Sequence, residues 1–373
     1  MKGISILGAF AAAPLLASAS AVSSELPVPR GAAKAAIDAM NSHYYNSTDG
    51  RWGTEAAWWL SGIAMQTVID YMQLTGSLEY IGYVWNTIEH QRAPVDWWPE
   101  GGGWFRADST EDTGWWALAL VSLFDLTGSS LSLEIARLDE AYMYDYWVEE
   151  TCGGGLIWNI PQLEYKNAIG NEQYIRLAAA LHNRIPGDEE YLRKAVQAWE
   201  WFRDSGMINS DSLVNDGLAE EAGGRCTNNG QTTWTYNQGV ILGGLAELYR
   251  ATGDDGYLEA ARGIADAVLA SEELSPRGIL TEPCDAEEGC YYDQAAFKGI
   301  FARYLADLDG ELEGRPYSGY LAKNAASAWE HARSDEDMFS VDWAKPFDGA
   351  TIGSQSSAAS LLLRVQLYNP IET

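Results

Sequence analysis

A short turn recurs along this chain and constrains its fold more than any other feature. Tyr71-Met72-Gln73-Leu74-Thr75-Gly76 is followed by Leu78-Glu79-Tyr80-Ile81, and Leu126-Thr127-Gly128 precedes a helical run from Leu131 to Trp147. Ile185-Pro186-Gly187-Asp188 leads into Tyr191-Leu192-Arg193-Lys194-Ala195, and Ala251-Thr252-Gly253-Asp254-Asp255 into Tyr257-Leu258-Glu259-Ala260-Ala261. In each, a glycine is placed to end one helix in the left-handed conformation, and short polar residues are placed to start the next. Gly76, Gly128, Gly187 and Gly253 lie 52, 59 and 66 residues apart. That spacing is too irregular for a solenoid but suits helical hairpins joined by loops of varying length.

Helical periodicity predicts twelve helices, over 34–46, 54–75, 77–91, 111–127, 131–149, 167–184, 188–205, 234–252, 255–272, 291–309, 316–333 and 354–368, with almost no alternating strand pattern. Short turns alternate with long Gly- and Trp-rich connections over 92–110, 150–166, 206–233, 273–290 and 334–353. An open superhelix would need polar capping helices at both ends, and none is evident. The expected fold is therefore all-α, an (α/α)6 toroid of six hairpins in one domain over residues 22–373. In such a ring the long loops share one face and feed the inner helices. Those helices begin at Thr54-Glu55, Thr110-Glu111-Asp112, Asn167 through Asn171-Glu172, Trp234-Thr235-Tyr236-Asn237-Gln238, Asp293-Gln294 and Ser354-Gln355. Amide, hydroxyl and carboxylate groups recur at these starts more often than capping alone explains. They are expected to converge on one concave polar site.

Lys2, an apolar stretch from Ile4 to Leu16 and the small residues Ala17 to Ala21 have the layout of a cleavable secretory signal, expected to occupy residues 1–21. No later run is long and apolar enough to span a membrane, and the C-terminal residues carry no lipid-anchor signal. Export favours disulfides: Cys284 with Cys290 in a short loop, and by preference Cys152 with Cys226, out of three possible pairings of four cysteines. Asn46-Ser47-Thr48 is a glycosylation sequon at Asn46. The four histidines are scattered and no CxxC is present, so neither a metal site nor a cofactor motif is expected. A formal charge of −29 disfavours nucleic acid and anionic membranes as partners. With 16 Trp and 20 Tyr against 8 Phe, rings with a polar edge predominate, as wet hydroxyl-rich ligands require.

Glu111 and Asp112 stand side by side before Trp115 and Trp116. Acids in a first helical turn also serve the helix dipole. With amide groups, indoles and no metal motif elsewhere, however, the pair suits glycoside hydrolysis. One carboxylic acid protonates the leaving oxygen while the second carboxylate attacks or activates water. Successive residues of a helix point about 100° apart, so the two could flank one bond at the shorter spacing used by retaining enzymes.

These blocks resemble glycoside hydrolase family 76. The resemblance is carried by Glu111-Asp112-Thr113-Gly114-Trp115-Trp116-Ala117-Leu118-Ala119, Gly154-Gly155-Leu156-Ile157-Trp158, Tyr165-Lys166-Asn167-Ala168 with Asn171-Glu172, Trp234-Thr235-Tyr236-Asn237-Gln238-Gly239, and Asp293-Gln294 with Phe297-Lys298-Gly299. It implies the (α/α)6 fold and retaining endo-α-1,6-mannanase activity on α-mannan or mannoprotein glycans. It also implies a catalytic pair in which the first residue is the nucleophile and the second the acid/base. The family's pair is two aspartates; here Glu111 stands first and Asp112 second. The extra methylene moves the carboxylate, so non-hydrolytic mannan binding and transglycosylation stand as the alternatives. An unsaturated uronyl hydrolase is a more distant one, disfavoured because its acidic sugars would meet a strongly anionic chain. Substrate contacts are expected from Trp104, one of Trp115 and Trp116, Asn171, Glu172, Tyr236, Asn237, Gln238 and Asp293, with Lys298 structural. The protein is expected to act as a monomer.

Overall fold

The computed structural model describes residues 28–366 except Glu288 and Tyr291, so the expected signal peptide over residues 1–21 lies outside the described residues. Six helices form an inner ring: α2 (Trp58–Thr75), α4 (Thr110–Thr127), α6 (Ala168–Arg184), α8 (Thr235–Thr252), α10 (Gln294–Glu311) and α12 (Ile352–Gln366). Each packs on the next, and α12 returns to α2, closing the circle. Outside them lie α1 (Ala32–Tyr44), α3 (Ile81–Gln91), α5 (Ser130–Tyr144), α7 (Glu190–Asp204), α9 (Asp255–Ala270) and α11 (Ser318–His331). Five hairpins are formed by neighbours in sequence. The sixth joins the two ends of the chain, α1 against α12.

Burial separates the two layers. In α6 every residue from Ala168 to Leu181 is buried, as a helix wrapped by neighbours on all sides requires. In α7 only Ala195, Ala198, Trp199 and Phe202 are buried, a single stripe at i, i+3, i+4 and i+7. Each large apolar side chain so buried contributes about 1.5–3 kcal/mol. Inner helices approach closely where glycine removes the side chain. A Cβ on Gly239 of α8 would lie 2.6 Å from the Phe301 Cα on α10, and one on Gly299 of α10 only 2.3 Å from the Ser357 Cα on α12. At the base of the ring, Asp70 of α2 is paired with Arg303 of α10 and Arg364 of α12, a charged clasp across the point of closure.

Amides near the starts of inner helices hold the long loops. Gln238 accepts the Val214 N–H at 2.7 Å and donates to the Val214 carbonyl at 2.8 Å. Asn171 treats Leu156 the same way, at 2.7 and 3.3 Å. Gln355 accepts from Phe339 at 2.8 Å and donates to the Asp337 and Ala36 carbonyls. Each amide substitutes for a neighbouring strand and satisfies loop backbone that would otherwise be buried unpaired. Much of the amide recurrence at the helix starts therefore serves the fold rather than a ligand.

Several expected boundaries shift; α3, for one, begins at Ile81 instead of residue 77. The α2 helix begins at Trp58 instead of residue 54, because Arg51–Trp52 pairs with Tyr45–Asn46 in a short antiparallel ribbon and Gly53 then turns with φ 65°. The α5 helix ends at Tyr144 instead of 149, because the backbone from Tyr146 to Val148 turns to pair with Gly155 and Ile157. Cys152 pairs with Cys226 and Cys284 with Cys290, leaving no free cysteine.

Candidate active site

The acid pair opens α4. Ser109 caps this helix, its Oγ accepting the Asp112 N–H at 3.0 Å, and the carboxylates sit in the positive field of the helix start. Both side chains are half-buried. Glu111 Oε2 accepts a hydrogen bond from Trp158 Nε1 at 2.9 Å and a longer one from Asn167 Nδ2 at 3.5 Å. Trp158 is itself fixed. Its backbone N–H donates to the Tyr165 carbonyl at 2.7 Å, its carbonyl accepts the Thr110 N–H at 3.2 Å, and the Thr110 hydroxyl donates to the preceding Ile157 carbonyl.

Further carboxyl groups crowd this spot. Asp293, before α10, accepts from Trp59 Nε1 at 2.9 Å. Asp216, in the loop between α7 and α8, accepts from the Tyr165 hydroxyl. Burial raises Glu111 well above the usual carboxylate range, and the charge of Asp112 adds to it, while the Trp158 N–H opposes the rise. Asp112 is pushed up to about 7 by burial and by Asp108 and Asp293. Asp108, Asp216 and Asp293 are raised as well, burial leading in each case. So many like charges in one cleft cannot all ionise at neutral pH, and Glu111 and Asp112 titrate as a coupled pair. Glu111 receives the Trp158 side-chain N–H, which favours its ionised form, while a hydrogen bond with Ser109 favours that of Asp112.

Beneath the acids lies an aromatic floor. Trp59 stacks on Trp115 at 5.4 Å, Trp115 on Tyr236 at 6.3 Å and Tyr236 on Phe297 at 3.7 Å; Phe297 returns to Trp59 at 6.4 Å. The four rings come from α2, α4, α8 and α10, so the floor bridges the middle of the toroid. Burial is the main cause of the raised values of the two carboxyl groups. The Tyr236 phenol is kept neutral by burial and by the surrounding Glu111, Asp216, Glu172 and Asp293.

The structure brings together Glu111, Asp112, Trp115, Tyr236 and Asp293 among the residues singled out from sequence. Trp116 points the other way, fully buried against Phe105 and Trp58 at 4.9 Å; a step of one residue on a helix turns it about 100°. Asn171 and Gln238 are committed to the loop backbone described above. Trp104, with φ 61°, lies 6.0 Å from the Arg92 guanidinium and accompanies that side chain. Glu172 and Asn237 lie completely buried in the ring wall, and no polar atom of either side chain has a hydrogen-bond partner among the described residues. Glu172 is raised well above its usual range, by burial first and then by Asp216 and Glu111. Lys298 is structural, buried against Asp285 at 2.6 Å. Among the described residues the one cluster with metal-ligand side chains is Cys284, Asp285 and Cys290, and its two sulfurs are bonded to each other.

Sequence reasoning did not single out Asp108, Asp216, Trp59, Trp158 or Phe297 as site residues. Asp216 sits in Asn215-Asp216-Gly217, which reads as an ordinary turn. Trp59 reads as one of many apolar positions of a buried helix.

Comparison with known proteins agrees with this geometry. The sequence model of Glycosyl hydrolase family 76 matches residues 29–370. Mannan endo-1,6-alpha-mannosidase DFG5 of Candida albicans is 27% identical over 368 residues, covering 91% of this chain and 80% of that protein. A Schizosaccharomyces pombe relative is 28% identical over 274 residues, 70% of this chain, and the chain spans 61% of that relative's length. Among solved structures, the GH76A alpha-1,6-mannanase from Salegentibacter sp. HEL1_6 superposes with a TM-score of 0.80 at 23% identity, over 90% of this chain and 98% of its own. A variant of that mannanase with two successive aspartates changed to asparagine is described as inactive and was solved with alpha-1,6-mannotriose. Because the family model covers nearly the whole of the described chain, this protein belongs to glycosyl hydrolase family 76.

Proposed function

We propose that the protein hydrolyses α-1,6-mannosidic bonds in the backbone of an α-mannan, with retention of anomeric configuration. One observation carries this reading: adjacent carboxyl groups start an inner helix above an aromatic floor, and the Trp158 side-chain N–H reaches the first. Glu111 is then the nucleophile and Asp112 the acid/base. Asp112 gives its proton to the glycosidic oxygen as that bond breaks, and Glu111 bonds to the anomeric carbon, forming a glycosyl ester. Water then attacks the same carbon, losing its proton to Asp112 and releasing Glu111 as a carboxylate. The family relationship and the relatives named as mannan endo-1,6-alpha-mannosidases support the substrate. The indole N–H of Trp158, which holds the longer Glu111 side chain by one carboxylate oxygen, supports a working Glu-Asp pair in place of two aspartates.

Two disulfides among the described residues and the leader-like residues 1–21 support action outside the cell by a single catalytic domain over 22–373. We take that domain to be monomeric, and exposed Asn46 to be its glycan acceptor. The test is incubation of purified protein with debranched α-1,6-mannan, the products followed by mass spectrometry beside Asp112→Asn. Shorter oligomannosides that vanish in the variant support the reading. Products longer than the substrate would reassign the pair to transglycosylation, and mannan binding without turnover would remove the hydrolase reading.

A further inference from the structure

A second pocket opens on the same face of the ring as the acid pair. It encloses about 550 Å³, within the range of small-molecule sites, about 300–1,000 Å³. Its walls include Tyr44 at the end of α1, Thr54 and Glu55 in the segment entering α2, Tyr292 before α10, and Thr351 before α12. None of these residues serves the chemistry derived above.

The lining has the chemistry of a sugar site. Tyr292 is 72% exposed and holds φ 57°, a left-handed conformation that a bulky residue adopts only at a cost. Nothing in the packing of the ring requires a tyrosine ring there. The Tyr44 ring supplies a second aromatic wall, half-buried. The same lining holds the exposed Glu55 carboxylate and Thr54 hydroxyl, able to bond ring hydroxyls, and Thr351, whose hydroxyl already accepts the Ser354 N–H at 3.1 Å. The one basic side chain in the lining, His43, is turned toward Glu336 at 3.4 Å. The pocket therefore offers a neutral polyol aromatic faces and hydroxyl partners, and offers an anion little.

Its position ties it to the cleft. Tyr292 directly precedes Asp293, whose carboxylate is fixed by Trp59 and raises both members of the acid pair. Leu60, in the pocket wall, directly follows Trp59 of the aromatic floor. Tyr292 therefore stands where the pocket adjoins the Asp293 side of the cleft. We infer that the pocket is a remote hexopyranose subsite, taking a further mannosyl unit of the chain being cleaved and setting a preference for longer substrates. This inference rests on the mannanase reading above.

The experiment compares wild type, Tyr292→Ala, Tyr292→Trp and Glu55→Ala on α-1,6-mannooligosaccharides of increasing length. Wild-type kcat/KM should rise with length. Tyr292→Ala should lose about tenfold on the longest substrates, the cost of one truncated aromatic anchor, with much less loss on the shortest. Glu55→Ala should show the same length dependence, and Tyr292→Trp should retain the preference. Equal losses at every length, or none, overturn the subsite while leaving the mannanase reading intact. If no length is turned over, the mannanase reading fails and affinity for the longest oligomannoside becomes the readout. Binding weakened by Tyr292→Ala then still supports the subsite, and binding unchanged or absent overturns it.

Discussion

The hydrogen bond from Trp158 to Glu111 makes a quantitative demand on the pH dependence of this protein. Replacing Trp158 with Phe keeps most of the ring, including its edge-to-face contact with Tyr165 at 6.2 Å, and removes only the donor 2.9 Å from the carboxylate. Hydrogen bonds to charged groups contribute about 1.5–3 kcal/mol, and Glu111 retains some solvent exposure, so the lower end applies. Asn167, at 3.5 Å, is too distant to take over. At about 1.4 kcal/mol for each pKa unit, the carboxyl of Glu111 should rise by about one unit. The donor favours the ionised form, so its loss raises the pKa and protonates the nucleophile at a higher pH. The acidic limb of kcat/KM, which reports ionisations of the free enzyme, should move up by about one unit. On that limb activity should fall about tenfold at fixed pH. The assay is a pH–rate profile on an α-1,6-mannooligosaccharide, with thermal melting as the check on folding. If the variant is folded and its acidic limb stays where it was, then Trp158 does not set the charge state of Glu111, and assigning Glu111 as nucleophile on this ground is wrong.

Other parts of the structure make separate demands. Gln238→Ala leaves the Val214 N–H and carbonyl unpaired in a buried loop, costing about 1–3 kcal/mol; the melting temperature should fall, and kcat/KM with it, because that loop carries Asp216. Replacing Cys152 and Cys226 by serine opens a link across 74 residues. Chain entropy puts the loss at roughly 4 kcal/mol, readable as a lower denaturant midpoint, and an unchanged midpoint would contradict it. Glu282, buried against Thr235, is pushed up from 4.5 to about 8. The folded state therefore keeps a proton that the unfolded chain releases. Its stabilising contribution is full below about pH 4.5 and is lost as the pH rises toward 8. Melting temperature should fall over that window, and the slope should be shallower in Glu282→Gln. Gly239→Ala would force α8 away from the Phe301 backbone; it should cost about 1–3 kcal/mol, and wild-type stability would refute the close approach.

Much of the architecture is legible in the chain because its signals are local. Glycine at the end of a helix adopts φ near 70° whatever surrounds it, as Gly76, Gly128 and Gly253 do. The alternation of short turns and long loops then leaves few ways to arrange twelve helices. The acid pair was legible too, since adjacent residues stay adjacent, and both disulfides match the pairing preferred among the three that four cysteines allow. The rest depends on which residues meet across distance in the chain. Ring closure is a contact between α12 and α2, fixed by Asp70 with Arg303 and Arg364, residues separated by more than two hundred positions. Sequence could not separate an amide that holds a loop, as Gln238 does, from one free to meet a ligand, because the difference lies in where Val214 arrives. Nor could it tell Trp115 from Trp116, chemically identical neighbours; helix rotation puts one in the floor beneath the acids and the other between α2 and α4. The charge state of the pair was decided last and most remotely. It depends on Trp158, Asn167, Asp293 and the aromatic rings of four helices closing over two carboxyl groups, since burial and partners, not residue type, determine where a proton resides.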